Sequence, residues 1–203
     1  WESPLEYGEA EIIGVDKLAD IAVIKINPEG PTKFVKWGDS DKLEMGDEVI
    51  AIGHGLSMPW AVTKGIMSYI DRQPDKSKPM ITYNQSDTVI NQGNSGGPLF
   101  NKCGEVVGVN TLLFSRTGSF SGVGFSVPSN LAKRSVDQII EKGYVTYPAI
   151  GIHMTVVDKL TERKQLLDIG VNSVVKIDKT PEDGAAYKAG LKSGDVIVSV
   201  GGE

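Results

Sequence analysis

The sequence predicts a mainly β fold. Three observations point there: short β-branched runs recur along the first part of the chain, each is bounded by Gly, Pro, Asp or Asn, and helical periodicity first becomes convincing near residue 129. Frequent short strands joined by turns bury their apolar faces best as an antiparallel barrel or sandwich.

Taken in order, residues 21–26, 48–52 and 105–109 carry the strand-like runs. The polar, proline-bounded stretch 73–79 and its counterpart 115–119 read as exposed, mobile loops. A helix is predicted to start at Ser129 or Asn130, both good N-cap types, with Ala132, Val136, Ile139 and Ile140 at helical spacing. Gly143 ends it as a C′ residue. The pattern then divides the chain: a first domain over 1–143, a linker over 144–148, and a second unit over 149–203. The second unit shows a glycine turn at Ile150-Gly151-Ile152, a helix over 159–167, and strands over 171–177 and 196–200. In its segment 189–197, Gly190 and Gly194 shape turns and Asp195 caps one.

A chain of 203 residues with 40% hydrophobic content can bury a substantial core. Its net charge of -5, with Lys and Arg scattered, argues against a nucleic acid or an anionic membrane as partner. A single cysteine, Cys103, excludes internal disulfides and reads as a small residue near a strand end. No run approaches the length of a membrane span. The chain begins at Trp1 without a signal-peptide pattern and stops in what reads as a turn, so both ends are expected to be cuts within a longer protein.

Chemistry concentrates in Asn91-Gln92-Gly93-Asn94-Ser95-Gly96-Gly97-Pro98-Leu99, one serine inside a glycine-dense turn between apolar runs. Glycine on both sides permits positive φ and close approach of a substrate, so the N–H groups of Gly93 and Ser95 can converge on a developing oxyanion. The same residues also suit a plain surface loop. For an orienting carboxylate the sequence offers Asp16 and Asp20, and for a base only His54 and His153.

Several segments in order resemble the HtrA/Deg family of trypsin-like serine proteases that carry PDZ domains. They are Asp20-Ile21-Ala22-Val23-Ile24-Lys25-Ile26, Ala51-Ile52-Gly53, Thr63-Lys64-Gly65-Ile66-Met67-Ser68, Gln85-Ser86-Asp87 leading into the serine turn, and Gly122-Val123-Gly124-Phe125-Ser126-Val127-Pro128-Ser129. The resemblance implies a double antiparallel β-barrel, its first barrel incomplete here, followed by a partial α+β PDZ domain. It implies Ser95 as nucleophile, Asp20 rather than Asp16 as the triad carboxylate, and Gly93, Asn94 and Ser95 as the oxyanion hole. Asn91 and Val89 fall in the substrate pocket, with Val89 at its base, where the lack of a carboxylate favours an aliphatic P1 side chain. Gly122, Val123, Gly124 and Phe125 are expected to offer a strand edge to the substrate backbone. Ile150, Gly151 and Ile152 stand where the PDZ domain binds a peptide carboxylate.

Family order runs His, Asp, Ser, and neither His54 nor His153 precedes Asp20, so the base is expected upstream of Trp1 and the chain alone is expected to be nearly inactive. Gln92 stands where a proline is common in the family, and Ser86 where a threonine is usual. Further implications are acyl-enzyme chemistry that needs no metal or cofactor, unfolded or misfolded polypeptides as substrates, peptide C-termini as PDZ ligands, a homo-oligomer that is a trimer in the intact protein, and the bacterial envelope or periplasm as location. The rival reading is a non-catalytic peptide-binding or chaperone-like protein.

Overall fold

Residues 9–28, 30–54, 61–74, 80–111, 121–158 and 173–201 are described by a computed structural model. Within them the chain divides into two compact units, Trp1–Thr146 and Tyr147–Glu203. The predicted helix over 159–167, the loop over 115–119, residues 75–79 of the earlier loop and the stretch 55–60 lie outside the described residues.

The first unit is built on β1 (Glu11–Asp16), β2 (Ile21–Lys25), β3 (Glu48–Gly53), β4 (Ala61–Arg72), β5 (Tyr83–Ser86), β6 (Pro98–Asn101), β7 (Val106–Thr111) and β8 (Gly124–Pro128), followed by α1 (Ser129–Lys142). Strands β3 to β8 close into one antiparallel barrel in the order β3-β4-β5-β8-β7-β6. Strands β1 and β2 form a separate two-stranded sheet that packs on α1. One barrel of the expected pair is therefore complete in this chain.

Period-two alternation explains the barrel walls. Along β4 half-buried and exposed residues alternate through Ile66, as one face turns inward and the other outward. Val49 and Ala51 from β3, Met67 from β4, Leu99 from β6 and Val107 from β7 form a buried cluster. Each large aliphatic member contributes about 1.5–3 kcal/mol through the surface it removes from water. Strand β8 is buried at all five positions because β5 and β7 flank it and α1 packs against it.

Helix α1 starts and ends differently from each other in their agreement with the sequence. Gly143 adopts φ +81° and donates its N–H to the Ile139 carbonyl, the predicted left-handed stop. At the other end neither Ser129 nor Asn130 is the N-cap. That place falls to Pro128, and both side chains reach outward, Ser129 Oγ to the Gly38 carbonyl at 2.7 Å and Asn130 Nδ2 to Asp39 Oδ1 at 2.8 Å. The Asn130 N–H is satisfied instead by Ser40 Oγ, a cap supplied by a residue remote in sequence. Ala132 and Ile139 are fully buried, whereas Ile140 lies on the outer face.

The second unit is an antiparallel sheet in the order β11-β10-β9, from β9 (His153–Asp158), β10 (Ser173–Lys179) and β11 (Val196–Ile197), with a single helical turn α2 (Ala185–Lys188). Strand 196–200 is shorter than predicted: only Val196 and Ile197 pair with β10, and Val198 and Val200 are exposed. Asp195 Oδ2 accepts the Lys192 N–H at 2.8 Å and closes the preceding turn, as its sequence position implied.

Candidate active site

The Ser95 turn joins β5 to β6, and its backbone is nearly all committed. Asn94 N–H donates to the Asn91 carbonyl at 3.0 Å, Gly97 N–H to the Asn94 carbonyl at 3.0 Å, and Gly96 N–H to the Asn110 carbonyl at 2.8 Å. In return Asn110 N–H donates to the Gly97 carbonyl at 2.8 Å, so the end of β7 clasps the turn from both sides. His54 N–H holds the Gly93 carbonyl at 3.3 Å. Gly93 at φ +100° and Gly96 at φ +84° bend the chain as residues with a Cβ rarely can. Among the described residues, the N–H groups of Gly93 and Ser95 meet no acceptor. These two donors flank a residue whose own N–H is taken, so of the expected oxyanion trio Asn94 contributes its bond to the turn instead.

Asn94 is the anchor beneath. Its side chain is 3% exposed, and Nδ2 donates to the Val89 carbonyl at 3.4 Å. The end of β3 presses on it so closely that a methyl carbon on Gly53 would stand 2.6 Å from Asn94 Oδ1, and one on Gly97 would stand 2.5 Å from the Ile52 carbonyl oxygen. Ser95 itself is exposed, and no described side chain hydrogen-bonds its hydroxyl.

The two aspartates separate cleanly. Asp16 is buried: Oδ1 accepts the N–H groups of Leu18 and Ala19, both at 3.1 Å, and Oδ2 accepts the Ser135 hydroxyl at 2.7 Å. It is consumed in holding the β1–β2 turn on α1. Asp20 is exposed, sits at φ +60°, and accepts the Thr111 hydroxyl on Oδ2 at 3.1 Å. Thr111 follows Asn110, so adjacent residues at the end of β7 hold the Asp20 carboxylate and the Ser95 turn. Sequence reasoning missed both. Their signal was a polar pair that ends an apolar strand yet is buried, Asn110 at 1% and Thr111 at 5% exposure.

Val89 is half-open to solvent, and its carbonyl accepts Thr63 Oγ1 at 3.0 Å besides Asn94. Its neighbours Thr88 and Ile90 are buried, and Gly124 backs onto them, since a methyl there would lie 3.0 Å from the Thr88 carbonyl and from Ile90 Cδ1. Of the four residues expected to offer a strand edge, Gly124 and Phe125 lie inside β8 and Gly122 and Val123 precede it. Gly124 pairs with Ser86 of β5, and Phe125 pairs with Gln85 of β5 and Thr111 of β7. With both sides of Phe125 filled, the backbone there has no groups left to receive a substrate strand; Gly122, at φ +86°, and Val123 precede β8.

His54 is exposed and serves the turn through its backbone alone. His153 opens β9 in the second unit. In that unit Gly151, at φ +74°, backs onto Gly184, and the Ile150 carbonyl accepts the Ala186 N–H at 2.8 Å. Among the described residues the N–H groups of Gly151 and Ile152 have no acceptor. Elsewhere, a groove of about 360 Å³ between the turn at 40–42 and the β6–β7 hairpin includes Asp39, Asp47, Lys102 and Cys103, and none of the residues above.

Comparison with known proteins identifies the family. The trypsin-like peptidase domain matches residues 5–109. The "Probable periplasmic serine endoprotease DegP-like" protein of Rickettsia prowazekii (strain Madrid E) is 40% identical over 195 residues, 95% of this chain and 38% of that protein. The protein of the same name from Brucella suis biovar 1 is 40% identical over 196 residues, again 38% of its length. Among solved structures, the HtrA-type protease AlgW with a tripeptide superposes with a TM-score of 0.81 at 33% identity, covering 96% of this chain and 64% of that one. AlgW with a decapeptide gives 0.77 at 32% identity, covering 96% and 59%. This chain thus spans well under half the length of those curated relatives. With a closed antiparallel barrel and a match to the trypsin-like peptidase domain over half of its sequence, the chain belongs to the trypsin-like peptidase family.

Proposed function

We propose that this chain is the serine-bearing barrel, with the start of a PDZ domain, of an HtrA-type endopeptidase that cleaves unfolded or misfolded polypeptides. The observation that carries this reading is the pattern of free donors: Gly93 and Ser95 keep their N–H groups while the other amides from Asn94 to Gly97 are bonded. Such an arrangement costs no reorganisation when charge develops on a tetrahedral intermediate, and one oxyanion donor is worth about 10²–10³ in kcat.

In the proposed reaction, Ser95 Oγ attacks the scissile carbonyl carbon and its proton passes to a histidine contributed by the protein's preceding segment. The carbonyl oxygen takes the negative charge between the N–H groups of Gly93 and Ser95. The histidine then protonates the leaving amine, and water completes hydrolysis of the acyl-enzyme by the same steps in reverse. Asp20, with Thr111 behind it, fixes the imidazole and offsets its positive charge. Val89 at the pocket floor, without a carboxylate, suits an aliphatic P1 side chain. The free amides of Gly151 and Ile152 suit a peptide carboxylate in the second unit. Names of the relatives support a periplasmic location.

The test is to treat the intact longer protein, and separately this 203-residue chain, with a fluorophosphonate probe. Labelling of the longer protein at Ser95, lost in Ser95→Ala, is expected, together with slow or no labelling of the short chain. Failure of the longer protein to label would favour the non-catalytic peptide-binding reading.

A further inference from the structure

Three polar side chains form a row across neighbouring strands of the barrel. Asn84 of β5 lies directly opposite Ser126 of β8, and Ser126 lies directly opposite Asn110 of β7. Directly opposed residues of antiparallel strands share a face, with Cβ atoms about 4.5–5.5 Å apart. Each of the three is 1% exposed. In each, one polar atom has no protein partner: Asn84 Nδ2, Ser126 Oγ and Asn110 Oδ1.

The orientation of both amides is fixed by their other ends. Asn84 Oδ1 accepts the Asp71 N–H at 3.3 Å, which leaves its donor end toward the row. Asn110 Nδ2 donates to the Pro98 carbonyl at 3.1 Å, which leaves its acceptor end toward the row. A donor on one side, an acceptor on the other and a hydroxyl between them make a complementary set across three neighbouring strands. Gly108 accommodates the middle member, since a methyl there would stand 2.7 Å from Ser126 Oγ. Leaving three such groups unpaired costs about 1–3 kcal/mol each, which a folded protein seldom tolerates.

We propose that the row Asn84, Ser126 and Asn110 is an internal hydration site whose ligand is one ordered water. The water accepts a hydrogen bond from Asn84 Nδ2, donates one to Asn110 Oδ1, and shares a third with Ser126 Oγ. Three bonds are the usual complement of a buried water. The site ties β5, β8 and β7 together through side chains where their ladders already pair. It also holds the side chain of the residue whose backbone clasps Gly96 and Gly97, so this water stands behind the nucleophile turn. Nothing in it depends on the proposed proteolysis.

The experiment is a high-resolution crystal structure of the intact protein, paired with oxygen-17 relaxation dispersion on the wild type and on Asn84→Ile/Ser126→Ala. A density peak about 2.8 Å from all three atoms is expected, and the double variant is expected to lose one long-lived internal water. Direct bonds among the three side chains without a peak, or an unchanged count of internal waters in a folded double variant, would overturn the proposal. Should the double variant not fold, the density in the wild type decides alone.

Discussion

Thr111 donates its hydroxyl proton to the carboxylate of Asp20 at 3.1 Å, joining residues 91 apart in sequence. The bond lies at the end of β7, one residue beyond the backbone that clasps the Ser95 turn. Strand β7 therefore sets the position of the Ser95 turn and of the Asp20 carboxylate together, and a change at its end is felt at both.

Thr111→Val removes that bond while keeping the β-branched shape. A hydrogen bond to a charged group is worth about 1.5–3 kcal/mol, so kcat of the intact protein on an unfolded polypeptide is expected to fall by at least about tenfold with KM little changed. Thr111→Ser is expected to recover most of the loss. Steady-state kinetics of the two variants provide the check, and equal loss in both would remove the hydroxyl from the account.

Gly53→Ala places a carbon 2.6 Å from Asn94 Oδ1 and 2.9 Å from its Cα. Neither the end of β3 nor the turn has room to yield, and overpacking of this kind costs about 1–3 kcal/mol. The expected result in the intact longer protein is a lower Tm by calorimetry and a fluorophosphonate reaction at Ser95 slowed beyond what the Tm explains. A variant that reacts at the wild-type rate would show that the contact with Asn94 does not govern the donors.

Asp16→Ala leaves the Leu18 and Ala19 amides and the Ser135 hydroxyl without their shared acceptor in a buried site. A loss of about 2–4 kcal/mol is expected, from groups each costing about 1–3 kcal/mol when left unpaired. Chemical denaturation measures it. Labelling of Ser95 per folded molecule of the intact longer protein is expected to stay unchanged, which separates Asp16 from Asp20.

The Asp39 carboxyl is held below its ordinary value by the Asn130 side-chain bond first, then by hydrogen bonding with Lys42 and the Asp41 N–H. A depressed folded value means the charged form favours folding. Its contribution is present above the unfolded carboxylate range, about pH 4, and is lost as pH falls through the folded value. Asn130→Ala is expected to move the Asp39 titration upward, toward the ordinary value, in an NMR pH series. An unmoved midpoint would assign the depression to Lys42.

What the sequence made legible was local. Alternating β-branched runs announced the strands, Gly143 announced the helix stop, and the glycines around Ser95 announced a turn with free donors. What it hid depends on pairing between distant segments. Ser129 and Asn130 have good capping side chains, but Gly38 and Asp39 claim them, and Ser40 supplies the missing acceptor. The edge expected of residues 122–125 rested on resemblance alone, and how much of it is open depends on neighbours: β5 and β7 both pair with Phe125, whereas Gly122 and Val123 lie ahead of β8. Thr111 and Asn110 likewise gain meaning only once β7 lies beside the turn.

The contact between Gly14 and Gly143 has a bearing on synthesis. A methyl on Gly14 would stand 2.7 Å from the Gly143 carbonyl oxygen, so the β1–β2 sheet touches the very end of α1. Translation delivers that sheet early and α1 only after the whole barrel. The surface of β1 and β2 that α1 covers stays uncovered while the intervening chain emerges at roughly 5–20 residues per second. Within this unit the contact between Gly14 and Gly143 can therefore close only once α1 has left the exit tunnel.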